Sequence, residues 1–313
     1  MKKVLVTGGA GFIGSTLVDK LVEKNIEVIV IDNLSSGKET NINPKAKFFK
    51  ADLNHITFEG YKHYNRLTKV MEDTTLLHLL RDVDTVFHLA ATPQVQYSIE
   101  NPTDNNNLTS TINILEASHK AGVKRLIFTS SSAVYGNPKY TPIDENHPIQ
   151  TLSPYALHKL VGEQYCKLYS LVYGLDTVCL RYFNAYGDRM PNKGAYRSVI
   201  SVFMEQHTNK EPLNIVNDGN QRRDFVHVND IVNANIICGG TKDNFNGEIY
   251  NVGTGKAFTV NQIADMFGGE KKYGEKRIEP KDSVAETAKI NLDLDWESYG
   301  DLEVWIKKTK NNA

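Results

Sequence analysis

Val4-Leu5-Val6-Thr7-Gly8-Gly9-Ala10-Gly11-Phe12-Ile13-Gly14, close to the start of the 313-residue chain, decides the fold. A β-branched run passes straight into a glycine turn, and Leu17, Leu21 and Val22 follow at helical spacing. The reading is strand, turn, helix. Glycines at 8, 11 and 14 let the main chain approach a phosphate without a Cβ clash, and N–H groups at the helix start supply donors for a pyrophosphate. Such turns are common, so the motif alone is weak. Context strengthens it: a second buried strand, Val28-Ile29-Val30-Ile31, ends at Asp32, 18 residues after Gly14. An acid there accepts hydrogen bonds from ribose hydroxyls and repels a 2′-phosphate, which favours NAD over NADP. Read singly, Asp32 is equally a turn residue before Asn33-Leu34-Ser35-Ser36-Gly37, and Asp52 either meets the adenine or serves only its own turn.

Working outward, further strands are expected at Lys47-Phe48-Phe49, Thr85-Val86-Phe87-His88-Leu89, Arg125-Leu126-Ile127-Phe128-Thr129 and Thr177-Val178-Cys179-Leu180. Helical patterns lie between most of them, as over 111–121. Continuous apolar strands alternating with helices imply an α/β fold with a doubly wound parallel sheet covered on both faces. Residues 1–180 are assigned to it. Beyond them Leu213-Asn214-Ile215-Val216 and Glu248-Ile249-Tyr250-Asn251-Val252 read as short strands of a smaller α/β substrate-binding lobe, 181–313, partly interleaved with the first. The stretch 54–84 is long for one connection, polar at first and expected to be helical later. Gly268-Gly269-Glu270-Lys271-Lys272 reads as a solvated loop.

Composition narrows the partners. Hydrophobic residues at 40 % and charged residues at 23 % fit a globular chain and exclude disordered, collagen-like and disulfide-scaffold classes. With 36 Lys+Arg against 37 Asp+Glu, no broad field advertises nucleic acid or an anionic membrane. Three cysteines (Cys166, Cys179, Cys238) without C-x-x-C spacing suggest reduced thiols, and no metal site is expected. No run approaches the roughly 18 apolar residues of a membrane span, and the first residues lack a signal-peptide core. A cytoplasmic location is expected.

The chemistry is carried by Thr129-Ser130-Ser131-Ser132-Ala133-Val134-Tyr135-Gly136 and Ser153-Pro154-Tyr155-Ala156-Leu157-His158-Lys159. Ser153 as N-cap and Pro154 at the first helical position start a helix, which sets Tyr155 and Lys159 at i and i+4 on one face. A phenol of pKa near 10 is a poor base, but a nearby ammonium and a cationic nicotinamide favour its phenolate. Tyrosine and lysine at this spacing are by themselves most often a surface pair. Joined to the dinucleotide turn and the serine cluster, they become specific for oxidising an alcohol.

The chain resembles the extended short-chain dehydrogenase/reductases, of the UDP-glucose 4-epimerase-like group, over nearly its whole length. The similarity rests on residues 7–14, His88-Leu89-Ala90-Ala91, residues 130–136, the Tyr155/Lys159 pair, Arg181-Tyr182-Phe183-Asn184 and Arg223-Asp224-Phe225-Val226-His227-Val228. The resemblance implies a Rossmann sheet and Ser131, Tyr155 and Lys159 as catalytic residues. It implies NAD contacts at Gly8, Gly11, Phe12, Ile13, Gly14, Asp32, Asn33, Asp52, Leu53, Leu89, Ala90, Ala91, Tyr155, Lys159 and Tyr182. For a UDP-sugar it implies Asn184, Ala195, Tyr196, Val199, Asn214, Val216, Arg223, Arg277 and Glu286. Asn184 has a second reading as a turn cap, and Arg223 as a partner of Asp224. A homodimer is also implied.

The positions after Ser131 bear on which reaction follows. Related sugar 4,6-dehydratases carry an Asp-Glu pair there, because eliminating water needs an acid and a base. Here those positions are Ser132 and Ala133, and related decarboxylases carry glutamate where Ala133 stands. The expectation is therefore reversible oxidation and return of hydride to the opposite face, a 4-epimerisation of a UDP-hexose, plain or N-acetylated. The alternatives are a UDP-glucuronate 4-epimerase, another nucleotide-sugar oxidoreductase of this fold, and a dinucleotide-sensing protein without chemistry. By the resemblance Glu286 occupies a size-gate slot that is tyrosine in glucose-restricted members. Either a slimmer residue admits larger sugars, or the carboxylate selects by hydrogen bonding. Glu279 stands where a second phosphate-binding arginine is expected, with Arg277 as substitute.

Overall fold

The computed structural model describes residues 1–55, 61–65, 70–103, 107–191, 197–274 and 280–311. In chain order its first half holds β1 (Lys3–Thr7), α1 (Phe12–Glu23), β2 (Glu27–Asp32), β3 (Lys47–Lys50), β4 (Tyr61–Asn65), β5 (Val70–Thr74), α2 (Leu76–Leu79), β6 (Thr85–His88), α3 (Val95–Glu100), α4 (Asn107–Lys120), β7 (Arg125–Ser131) and α5 (Pro154–Tyr173). Then come β8 (Asp176–Tyr182), β9 (Asn184–Tyr186), α6 (Val199–Thr208), β10 (Leu213–Ile215), β11 (Arg222–His227), α7 (Val228–Gly240), β12 (Glu248–Val252), β13 (Ala257–Thr259), α8 (Val260–Phe267), β14 (Lys271–Tyr273), β15 (Asp282–Ser283), α9 (Ala288–Leu294) and α10 (Leu302–Lys310). Among the described residues no helix is long and apolar enough to cross a membrane.

Seven strands form one sheet in the order β12-β8-β7-β6-β1-β2-β3, with parallel registers from β3 through β7. The chain starts at β1 in the interior and steps outward in both directions. This order puts the C-terminal ends of β1 and β6 side by side, where a doubly wound sheet binds its ligand. The expected strands form because Val4, Leu5, Val6, Val28, Ile29, Val30 and Ile31 are buried on both faces.

The chain divides into two compact units. The first holds Met1–Ser131, Leu152–Arg181 and Val232–Tyr250; the second holds Ser132–Thr151, Tyr182–Ile231 and Asn251–Ala313. Two exchanges separate this from a single cut at residue 180, and each has a visible tether. Arg125, buried on β7, donates from Nε to Asp176 Oδ2 (2.6 Å) and from its Nη atoms to the carbonyls of Cys238, Thr241 and Asp243, pinning 232–250 to the sheet. In the second unit the fully buried Asn251 accepts from Tyr135 Oη (2.7 Å) and donates to the Ile143 carbonyl (2.8 Å), which holds 132–151.

Three expectations need correction. The helix expected late in 54–84 is mostly an antiparallel hairpin, β4 with β5, followed by one helical turn. Tyr61, Tyr64, Val70 and Thr74 are strand formers, and they outweigh the loose apolar spacing. Glu248–Val252, read as part of the smaller lobe, is the edge strand of the large sheet. Lys271 and Lys272, the end of the segment 268–272 read as loop, lie in β14, which pairs in parallel with Leu213–Ile215.

Candidate active site

In the first unit the glycine turn is closed by its own backbone. Gly8 N–H donates to the Ile31 carbonyl and Gly11 N–H to the Gly8 carbonyl. Gly8 adopts φ +71°, and a Cβ on it would lie 2.8 Å from Ala90 N. A Cβ on Gly14 would fall 2.1 Å from Gly8 O. Gly11 is the N-cap of α1, which has no side-chain cap, so the first-turn amides of Phe12 and Ile13 stand where an anion is favoured. Asp32, at the end of β2, accepts from Ala10 N (3.0 Å) and Leu34 N (2.7 Å). Burial pushes its carboxyl up, and the Leu34 and Ala10 amides oppose that. Asn33 donates to Asp52 (3.1 Å), tying the loops after β2 and β3, while Leu53 is core and its carbonyl accepts from Asn113. These features fit a dinucleotide: an uncapped helix start, glycines without room for Cβ, and an acid fixed at the next strand end.

A relay holds the other side of the turn. The Thr111 hydroxyl donates to the Asn107 carbonyl (2.8 Å), so His88 Nε2 supplies the hydrogen toward Thr111 (3.1 Å). His88 Nδ1 then accepts from the Thr7 hydroxyl (2.8 Å), whose oxygen accepts the Ala90 N–H (3.1 Å). Burial, with the Lys159 charge, lowers His88 to about 3, so the ring is neutral and can play both parts. Leu89, Ala90 and Ala91 thus sit on a fixed floor at the end of β6, partly exposed.

Ser131, Tyr155 and Lys159 come together. Ser153 caps α5 by accepting the Ala156 N–H (3.1 Å), with Pro154 in its first turn as expected. Tyr155 is 8 % exposed and its hydroxyl is hydrogen-bonded to Ser131 at the end of β7. Lys159 is 3 % exposed, donates from Nζ to the Thr129 carbonyl (2.6 Å), and lies 5.9 Å from the Tyr155 ring centroid. Burial lowers Lys159 to about 8, against the opposing influence of Cys166, Glu163 and Cys179. Burial also raises the Tyr155 phenol, and the Ser131 hydrogen bond only partly offsets it. The protein groups thus push the phenol away from ionisation, which leaves the expected phenolate to the lysine acting together with a cationic nicotinamide. Ser130 does not join this group, since its hydroxyl donates to Glu163.

In the second unit Tyr182 is buried and Asn184, opening β9, donates to the Asp224 carbonyl (2.8 Å) instead of capping a turn. Arg223 donates to the Arg222 carbonyl (2.9 Å). The Asp224 carboxylate is taken up by Thr254, Gly255 and Ala285, which displaces the reading of an Arg223–Asp224 pair. Asn214 lies mid-β10 with its side chain exposed, Val216 follows that strand, and Val199 opens α6. Glu286 turns Oε1 onto the Ala288 N–H (2.8 Å), serving the start of α9. Ala195, Tyr196, Arg277 and Glu279 lie outside the described residues. Among the described residues no group of three His, Cys, Asp or Glu is arranged to hold a metal.

Residues 4–253 match the NAD dependent epimerase/dehydratase family. The chain belongs to that family. It is 42 % identical to a putative UDP-glucose 4-epimerase of Methanocaldococcus jannaschii, over 98 % of this chain and 97 % of the relative. It superposes on the UDP-glucose 4-epimerase of Thermotoga maritima, solved with UDP-glucose, with TM-score 0.88, 35 % identity and coverage of 99 % and 97 %. The UDP-N-acetylglucosamine 4-epimerase of Methanobrevibacter ruminantium, solved with UDP-N-acetylmuramic acid, also gives TM-score 0.88, at 34 % identity and the same coverage of 99 % and 97 %.

Within this NAD dependent epimerase/dehydratase chain, sequence reading passed over the polar groups that brace the site. Glu163 and Arg181 form a buried ion pair (2.7 Å), and His88 and Thr111 carry the relay. The signal for Glu163 was available, because it follows Lys159 by four residues on the same helical face. Arg125 and Asn251 offered none, as their partners are distant in sequence.

Proposed function

We propose that the protein is an NAD-dependent UDP-sugar 4-epimerase that inverts carbon 4 of a UDP-hexose through a 4-keto sugar. The observation that carries this reading is the Ser131–Tyr155–Lys159 group joined to Ser132 and Ala133, which supply no acid or base to divert the ketone. When bound, NAD supplies the hydride acceptor and donor and the positive charge that ionises Tyr155. Tyr155 Oη takes the proton of the sugar hydroxyl and returns it, Ser131 orients that phenol, and Lys159 stabilises its anion. Gly8, Gly11, Gly14, Phe12, Ile13 and Asp32 hold the cofactor, and Asn184 and Arg223 serve the diphosphate.

Both UDP-glucose/galactose and the N-acetyl forms are substrates in this reading. It is supported by a relative of each kind at nearly equal identity, and by Glu286, a slim side chain turned onto its own backbone. Incubation with UDP-glucose, UDP-N-acetylglucosamine and UDP-glucuronate, with NMR resolution of carbon 4 epimers, tests it. Epimers of the first two are expected; conversion of UDP-glucuronate alone would replace this reading with the glucuronate one.

The protein acts as a cytoplasmic homodimer. Leu157, Leu168, Leu171 and Val172 form one exposed stripe of α5, the last two 70 % and 62 % exposed. Light scattering should give twice the 35.1 kDa chain mass, and Leu171→Glu should return it to one.

A further inference from the structure

We propose that Glu163 is a positioning residue for the reaction, joining Ser130 of β7 to Arg181 of β8 and keeping Lys159 cationic. The observation is a lacing between α5 and the end of β7. Tyr155, Lys159 and Glu163 follow one another at four-residue intervals on one helical face, and they bind Ser131, the Thr129 carbonyl and Ser130 respectively. Three consecutive strand residues thus meet three consecutive turns of helix. The helix comes this close because Gly162 lies against β7, where a Cβ would be 2.5 Å from Phe128 Cζ.

Glu163 is the deepest of the three, 1 % exposed. Its Oε1 accepts from Ser130 Oγ and Arg181 Nε (2.8 Å), and its Oε2 from Arg181 Nη2 (2.7 Å). A buried charge persists only where partners compensate it. The Thr129 carbonyl and Phe128 ring of β7 and the Tyr155 ring of α5 lie against Lys159, and its electrostatic neighbours are Glu163 and Cys166 of α5, Cys179 of β8 and the neutral His88 of β6. Glu163 is the one carboxylate among the groups that favour the charged lysine. It is shared with Arg181, so one anion serves two buried cations. Arginine does not release its proton in proteins, so loss of the anion falls on Lys159. The lysine's charge is what stabilises the Tyr155 anion, and that links Glu163 to proton transfer without contact with substrate.

The inference rests on the epimerase reading for its kinetic consequence alone. Its test reads Lys159 directly, by NMR titration of 13Cε-labelled lysine in the purified full-length protein, with Lys159→Arg assigning the signal. Glu163→Gln should move the Lys159 midpoint lower by at least about one pH unit. Arg181→Met, which frees the carboxylate for the lysine, should move it higher. Ser130→Ala keeps all charges and should leave it in place. The basic limb of the kcat–pH profile should follow the midpoint in each variant. An unchanged midpoint in Glu163→Gln or Arg181→Met, a shift of both in the same direction, or a limb that stays put while the midpoint moves would overturn the proposal. Each charge variant decides the matter if the other fails to fold. A wild-type protein inactive on every UDP-sugar would instead overturn the epimerase reading, because the titration needs no substrate.

Discussion

Lys159 and Tyr155 show burial and function pulling against each other. Lys159 has fallen to about 8 from 10.5, so the folded chain holds this proton less tightly than the unfolded one. The full cost is present below about 8, shrinks as pH rises toward 10.5, and vanishes above it. Lys159→Met should therefore raise the melting temperature at pH 7 by roughly a few degrees, with the gain narrowing as pH climbs through that window. Calorimetry at pH 7 and pH 10 reads this, and a lower melting temperature at pH 7 would contradict it. Tyr155→Phe removes only the hydroxyl bonded to Ser131, so NAD binding and the fold should survive while kcat falls by about 10² to 10⁴. Steady-state kinetics on the preferred UDP-sugar checks it, and near-normal turnover would exclude Tyr155 as the base. Both residues were legible in the sequence, since helical spacing alone sets them on one face. The upward push on the Tyr155 phenol was not, because it depends on desolvation that only the packed neighbours reveal.

The β1–turn–α1 element was read correctly because every constraint in it is local: β-branched strand, glycine at fixed offsets, apolar helix face. Gly8 and Gly14 are steric requirements against backbone, which cannot move aside. Gly14→Ala puts a methyl 2.1 Å from Gly8 O, and it should weaken NAD binding by at least about tenfold and lower the melting temperature. Gly122→Ala is the matched control, at φ +72° with nothing within 4 Å, and should be strained yet leave NAD affinity unchanged. Fluorescence titration with NAD compares them; equal affinities in the two variants would remove the close-packing argument. Elements defined by distant partners were misread. The β4–β5 hairpin lacked a short turn signal between its strands, and β14 is three residues long, stabilised by pairing with β10.

For the whole molecule, the alternation of strands and helices disclosed the doubly wound sheet, whereas the division into units was only partly legible. Arg125 with Asp176 and the 238–243 carbonyls, and Asn251 with Tyr135 and Ile143, join segments 51 to 118 residues apart, and no pattern in the chain announces such pairs. The proposed reaction has no net redox change: hydride removed from carbon 4 returns to carbon 4. The most direct test uses a UDP-hexose carrying deuterium at carbon 4 and follows the label by NMR and mass spectrometry. The label should reappear at carbon 4 of the epimer, with none released to solvent or to free cofactor. Loss of deuterium from that carbon, or accumulation of a 4-keto-6-deoxy sugar, would rule out 4-epimerisation by hydride return.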